Sequence, residues 1–305
     1  MTMLLSSHWT GDVSPVAFTI DGRDIAWYGI IITCAMMIGL VVAIFRGKKH
    51  NLSVDDFVEI FLIAIPFAIV GARIGYVMVR PEYFPSPFTW DDFVHVIAVW
   101  DGGLTIMTGV PFGILGGAIW CKIRKVNLLD LADIIVPVIL LSQGLGRWGN
   151  FMNQEIFGAE ITDPALQWFP MAVYISRLGG FYQALFFYEM VMDIAFFAAM
   201  MIVQRHLKLR GSGLLMYGFS YGLIRFIMEF FRDDGEIYAV FNYTQLICLI
   251  VFVGCAAALA GLIIAKVKKG EKVWYGRGGI PDSEIVRLAP YHRPSKKDKT
   301  DGETE

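Results

Sequence analysis

The chain has 305 residues, of which 56% are hydrophobic and only 18% charged, with a formal net charge of −2 and a mean hydropathy of +0.55. Soluble domains average about 45–50% apolar and about 25% charged residues, so an ordinary soluble globular protein is excluded. No basic surface outside short loops suggests nucleic acid, and the fold class is all-α: a polytopic helical membrane protein.

A helix needs about 20 mainly apolar residues to cross the hydrocarbon core of a bilayer. After an N-terminal segment, 1–24, seven stretches qualify in chain order: 25–45, 57–79, 104–121, 129–146, 181–203, 213–231 and 243–265. The loops between them sort by charge. Arg46, Lys48 and Lys49 follow the first span, and Lys122, Arg124 and Lys125 follow the third. Arg205, Lys208 and Arg210 follow the fifth, and Lys266, Lys268, Lys269 and Lys272 follow the seventh. The alternate loops, 80–103, 148–180 and 232–242, are poor in Lys and Arg. The positive-inside rule then puts the N-terminus outside and the C-terminus in the cytoplasm. The seven spans over 25–265 form the transmembrane domain, and 266–305 is a polar cytoplasmic tail expected to be disordered near its end.

The outer loops carry Tyr83, Phe84, Phe88, Trp90, Trp168 and Phe169, which an aromatic interface belt explains without function. Residues 91–99 read as a short interfacial arm. No internal repeat is visible, which argues against an inverted-repeat transporter. Cys34, Cys121, Cys248 and Cys255 lie in or beside apolar segments without CxxC spacing. They read as small buried hydrophobes, and no metal or organic cofactor is suggested. The N-terminus lacks a basic region followed by a small-residue cleavage site, so no cleaved signal peptide is expected.

Residues 144–158 read Gly-Leu-Gly-Arg-Trp-Gly-Asn-Phe-Met-Asn-Gln-Glu-Ile-Phe-Gly: one arginine, two asparagines, one glutamine, one glutamate and four glycines in fifteen positions. The stretch falls where the fourth span should reach the interface. Polar groups at membrane depth are costly and mark function. The glycines read as places where the backbone bends and approaches a ligand. A guanidinium beside amides suits a phosphate or phosphodiester. In the sixth span, Tyr221, Arg225, Glu229 and Arg232 recur at i, i+4, i+8 and i+11 and predict one helix face. Tyr188-Glu189 and Asp193 set two carboxylates one turn apart in the fifth. Taken alone, Arg225 and Glu229 could be an ion pair cementing the bundle. Arg147, Arg225 and Arg232 together, all toward the outer ends of their spans, read as a receptor for an anionic lipid head group. The GxxxG pairs Gly71/Gly75, Gly109/Gly113 and Gly113/Gly117 read as helix packing.

The run from Gly146 to Gly158 resembles the signature of the prolipoprotein diacylglyceryl transferases. So do Trp27-Tyr28-Gly29, Gly71-Ala72-Arg73-Ile74-Gly75-Tyr76, Trp100-Asp101-Gly102-Gly103-Leu104, Asp133 with Pro137, Tyr188-Glu189, Tyr221…Arg225…Glu229-Phe230-Phe231-Arg232 and Gln245, in the same order. The resemblance covers about residues 20–265. It implies a multi-pass enzyme of the bacterial plasma membrane. Its partners would be phosphatidylglycerol, membrane lipid and preprolipoprotein signal peptides bearing a lipobox cysteine. The diacylglyceryl group would move to that cysteine thiol as a thioether, releasing glycerol 1-phosphate.

By the resemblance, Arg147 and Arg225 are the phosphate-binding arginines and Glu229 pairs with or orients one of them. Asn150 and Asn153 position the head group, Glu155 and Gly158 shape the loop, and Tyr221 hydrogen-bonds the substrate; Arg147, Arg225, Glu229 and Glu155 form the expected catalytic set. Tyr28, Arg73 and Arg232 complete the expected substrate-binding set, Arg73 as part of the scaffold or the lipid path. One position departs. After Trp-Asp-Gly-Gly-Leu the family carries a His or Tyr, and this chain has Met107, a thioether that takes up no proton. Either that position is not the essential base, and a carboxylate or the arginine field promotes thiolate formation, or the chain is a non-catalytic or repurposed relative that binds or moves anionic phospholipid.

Overall fold

The computed structural model describes residues 13–232, 243–276 and 278–288. Residues 1–12, 233–242, 277 and 289–305 and the Asp101 side chain lie outside the described residues. The helices are α1 (Trp27–Lys48), α2 (Val54–Met78), α3 (Trp90–Ile97), α4 (Ile106–Arg124), α5 (Leu128–Met152), α6 (Leu185–His206), α7 (Ser212–Met228) and α8 (Tyr243–Lys268). Strands β1 (Val16–Ile20) and β2 (Arg23–Ala26) form one antiparallel hairpin, and β3 (Ala172–Ile175) and β4 (Gly180–Gln183) another.

Six of the described helices, α1, α2, α4, α5, α6 and α8, are long and apolar enough to cross a membrane. The remaining expected span is α7, whose 17 residues reach only about 26 Å at about 1.5 Å per residue. It stops at Met228 because the chain tightens into three-residue bonds there: Phe230 N–H donates to Ile227 and Phe231 N–H to Met228. Arg232 therefore leaves the helix face that the i+11 spacing predicts. Other edges move for local reasons. α6 starts at Leu185, four residues late, because 180–183 pair as β4. α2 starts early, at a capping box in which the Ser53 side chain and Asp56 exchange hydrogen bonds.

The chain divides into two compact units, residues 1–43 with 132–284 and residues 44–131 with 285–305. In the second unit, α2 and α4 pack backbone to backbone. A Cβ on Gly71 would lie 2.3 Å from the Phe112 ring, one on Gly75 2.0 Å from Thr108 Oγ1, and one on Gly109 3.1 Å from Ala72. Arg73, on α2, donates to the carbonyls of Val96 (2.9 Å), Gly102 (2.8 Å), Gly103 (3.2 Å) and His95. One guanidinium thus gathers the 95–103 segment, which begins in the last turn of α3; Trp90, Phe93 and Ile97 on α3 are exposed.

In the first unit, Ser142 on α5 donates to the Ala35 carbonyl on α1 at 2.9 Å. Asp133, also on α5, accepts from the backbone N–H of Gly211 (2.7 Å) and Gly213 (2.6 Å) and so caps α7, whose own N-cap, Gly211, has no side chain to offer. Leu185, Ile224 and Met228 form a buried seam between α6 and α7. Phe151, Val173, Ile175, Ala184 and Phe186 seat the β3–β4 hairpin on the ends of α5 and α6.

Candidate active site

The glycine-rich stretch is helical through Met152, not a bend at the interface. Its glycines shorten interhelical distances instead. A Cβ on Gly144 would lie 2.9 Å from Asp193 Cβ, one on Gly146 2.9 Å from Ile32 and one on Gly149 2.8 Å from the Tyr28 ring. α1 and α6 therefore come in close beside the turn of α5 that carries Arg147.

Arg147 Nη1 lies 2.8 Å from Glu189 Oε2, and Arg225 Nη1 lies 3.1 Å from Glu189 Oε1. The Glu189 carboxylate, fully buried, thus bridges the two arginines with one oxygen each. The Arg147 contact is an ion pair whose angle misses that of an aligned hydrogen bond. Arg225 Nη2 also pairs with Glu229 Oε2 at 3.3 Å, one turn on. Behind Arg147, its Nε is 4.0 Å from Oδ2 of Asp193, which is also fully buried. Gln143 Nε2 donates to both Asp193 oxygens at 3.2 and 3.3 Å, and Tyr217 donates to Gln143 Oε1 at 3.0 Å. Charges in an apolar bundle cost several kcal/mol each, on the order of 2.5–3.5 kcal/mol on insertion scales. Mutual pairing is what makes two arginines tolerable here.

The polar loop follows at once. Glu155 is exposed and its carboxylate accepts from Asn150 Nδ2 at 3.4 Å and Asn153 Nδ2 at 3.5 Å, both long contacts. Gln154 and Ile156 flank it with φ of +52° and +55°, a region costly for a β-branched residue. Gln154 is fixed by a reciprocal pair with Ser176, both bonds 3.0 Å. Gly158 is buried and forms an antiparallel backbone bridge with Arg232; a Cβ there would lie 2.6 Å from Gln183 Oε1 and 2.7 Å from the Phe231 carbonyl. Tyr221 is half exposed and stacks on Tyr217, with ring centroids 6.0 Å apart.

The structure thus brings Arg147, Arg225 and Glu229 into one network, sets Asn150, Asn153 and Glu155 together, and joins Gly158 to Arg232 through backbone. Tyr28 abuts Gly149. Arg73 lies in the other unit, where it holds the 95–103 segment. Three expectations are corrected. Arg232 is exposed and off the helix face, so the three-arginine cluster reduces to two arginines around a carboxylate. The glycines of 144–149 serve packing. The bundle-cementing alternative for Arg225 and Glu229 is incomplete, since Arg225 also reaches Glu189. Glu189, Asp193, Gln143 and Tyr217 are the members that site assignment missed. Glu189 is marked in the sequence by the Tyr188-Glu189 element of the resemblance, and Asp193 by its one-turn spacing from Glu189; Gln143 and Tyr217 carry no such mark. Met107, on the first turn of α4, is 80% exposed. Among the described residues no group of three or more His, Cys, Asp or Glu could hold a metal ion.

A family model described as prolipoprotein diacylglyceryl transferase matches residues 15–261. The chain is 35% identical over 267 residues to phosphatidylglycerol–prolipoprotein diacylglyceryl transferase 1 of Clostridium perfringens, covering 85% of this chain and 98% of that one. It is 33% identical over 262 residues to the phosphatidylglycerol–prolipoprotein diacylglyceryl transferase of Ligilactobacillus salivarius, covering 83% and 94%. To the enzyme of that name from a serotype 4b strain of Listeria monocytogenes it is 31% identical over 267 residues, covering 86% and 93%.

Proposed function

The chain belongs to the prolipoprotein diacylglyceryl transferase family, and from that premise we propose the reaction and the residues that carry it. It is a transferase that moves the diacylglyceryl group of phosphatidylglycerol to a prolipoprotein, the first step of lipoprotein maturation. The acceptor is the thiol of the lipobox cysteine. Sulfur bonds to the terminal glyceryl carbon as the bond from that carbon to the phosphate oxygen breaks, glycerol 1-phosphate leaves with the electron pair, and the thiol proton ends on the released phosphate.

The observation that carries the site assignment is the pair of arginines held on one buried carboxylate, Glu189, at 2.8 and 3.1 Å. Phosphate gains negative charge as it leaves, and pre-set guanidinium forks in a water-poor site stabilise that charge most. Arg147 and Arg225 are the phosphate-binding groups. Glu189 and Glu229 hold them in place, and Asn150, Asn153, Glu155, Gly158, Tyr221, Tyr28 and Arg232 shape the head-group site around them. A thiol needs help to ionise, and the same cationic field lowers the cost of a thiolate. Arg73 organises the 95–103 segment as scaffold. A non-catalytic reading rests on Met107 alone, and the relatives' names do not favour it.

The protein is a multi-pass membrane protein. We read the finer layout as seven crossings over 25–265, α7 being the shortest, in a bacterial plasma membrane. The 1–24 segment lies outside and the 266–305 tail in the cytoplasm, in line with the charge bias of the loops. Fusions test this: a C-terminal fluorescent protein should be active and a C-terminal alkaline phosphatase inactive, and the opposite pattern would overturn the orientation. The function is tested with labelled phosphatidylglycerol and a lipobox peptide, with a cysteine-to-serine peptide as control. Thiol-dependent label transfer with release of glycerol phosphate is expected, and Arg147→Ala, Asn150→Ala and Arg225→Ala should each abolish it in folded protein. Wild-type turnover in all three would overturn the site; no transfer by the parent protein would overturn the reaction.

A further inference from the structure

One buried donor in the site is left without a hydrogen bond. Arg147 Nε is enclosed and makes no hydrogen bond, while Oδ2 of Asp193 lies opposite at 4.0 Å. That is about 1 Å beyond a normal N–H···O distance. Asp193 is itself prepared from behind. The amide of Gln143 donates to both of its oxygens, at 3.2 and 3.3 Å, and Tyr217 donates its hydroxyl to the same amide's Oε1 at 3.0 Å.

The direction of this chain matters. An amide can face a carboxylate with its NH₂ end or, flipped, with its oxygen. The Asp193 carboxylate only accepts and so takes the NH₂, which leaves Oε1 to the Tyr217 hydroxyl and makes that hydroxyl the donor that braces the amide against Asp193. Glu189 then fixes one edge of the guanidinium through Nη1 and Asp193 faces another through Nε.

We propose that Tyr217, Gln143 and Asp193 form a positioning chain that sets the orientation of the Arg147 guanidinium for the transfer reaction. The proposal rests on the transferase reading above. None of the three touches substrate; they act through Arg147. A small movement of Arg147 toward Asp193 closes the Nε contact into a charge-assisted hydrogen bond.

The test pairs near-isosteric variants, so folding is preserved. Asp193→Asn should lower kcat about 100-fold, the cost of a misplacement of about 1 Å, with KM for phosphatidylglycerol nearly unchanged. Tyr217→Phe should lower kcat about tenfold, the worth of one hydrogen bond. Because the groups act in series, the double variant should be no slower than Asp193→Asn alone. Wild-type kcat in Asp193→Asn, or losses that simply multiply in the double variant, would overturn the chain. A second readout needs no activity: the arginine ¹⁵Nε–¹Hε spectrum in detergent micelles, with the Arg147 peak assigned by its loss in Arg147→Lys. Asp193→Asn and Tyr217→Phe should both move that peak, and an unmoved peak would overturn the proposal. If the parent protein transfers nothing, the transferase reading fails, and the spectrum still decides the positioning chain.

Discussion

Replacing Glu189 with glutamine removes one charge and almost no volume from the centre of the site. Both oxygens of Glu189 are committed, one to Arg147 at 2.8 Å and one to Arg225 at 3.1 Å, and the side chain is fully buried. A glutamine keeps one acceptor and turns an NH₂ toward the other arginine. Hydrogen bonds to charged groups are worth about 1.5–3 kcal/mol each, so losing one and setting a donor against a donor removes about 3–5 kcal/mol, in line with breaking a buried ion pair. The protein can avoid part of that loss only by swinging one arginine away, and a shift of about 1 Å at a reacting group costs about 100-fold in rate. Glu189→Gln should therefore fall at least that far in kcat for transfer from labelled phosphatidylglycerol to a lipobox peptide. Glu189→Ala, which frees both arginines, should be worse and should also lower the thermal midpoint in detergent. A Glu189→Gln protein with wild-type kcat would refute the idea that this carboxylate holds the pair in its working geometry.

Gly158→Ala puts a Cβ 2.7 Å from the Phe231 backbone carbonyl, which must shift at a cost of about 1–3 kcal/mol; transfer should drop while membrane expression persists, and wild-type activity would show the loop to be slack. Met107→His should change turnover little, because the side chain is 80% exposed and the arginines and carboxylates above do not depend on it; a large gain would show that the position carries a proton. His50 lies in the turn after α1, its Nδ1 2.9 Å from the Val286 carbonyl. Burial lowers its pKa from the ordinary 6.5, more than the Val286 carbonyl raises it. The unfolded chain then takes up a proton first as pH falls, so folded-state stability is lost as pH drops below about 6.5 and is intact above it. The thermal midpoint should decline from pH 7 to pH 5 and decline less in His50→Gln; equal slopes would refute this.

Hydropathy and loop charge were enough to find every long helix, because a membrane core demands apolar windows of about 20 residues. They could not find helix ends, which depend on hydrogen bonds. Residues 181–183 fall inside the expected span 181–203, yet with Gly180 they pair as a strand with 172–175. The i, i+4, i+8, i+11 spacing placed Arg232 on the α7 face, but the backbone leaves the helix after Met228. Glycines at 144, 146 and 149 looked like bends, and only the neighbouring Asp193, Ile32 and Tyr28 reveal them as packing contacts. Arginine is legible in an apolar segment because its charge must be answered. Which carboxylate answers it is a fact of helix pairing: the Tyr188-Glu189 element marks Glu189 in the sequence, but not that it bridges Arg147 and Arg225.

The strained loop ties these parts together. Glu155 sits between two non-glycine residues at positive φ, and such conformations persist only where the surroundings over-determine them. Gln154 is held by Ser176 in the turn between β3 and β4. Ile156 packs into the seam of Leu185, Ile224 and Met228. Those seam residues lie within about one turn of Glu189 on α6 and of Arg225 on α7. The register between α6 and α7 therefore sets both the arginine bridge and the loop conformation that presents Glu155 to Asn150 and Asn153. Asp133 enters at the far end of α7, fixing its start through Gly211 and Gly213. A helix of only 17 residues, anchored at one end by a carboxylate and at the other by a packed seam, is a rigid arm for Arg225. That rigidity is what electrostatic stabilisation of a leaving phosphate requires, since a guanidinium that must reorganise during the reaction gives back much of what it contributes.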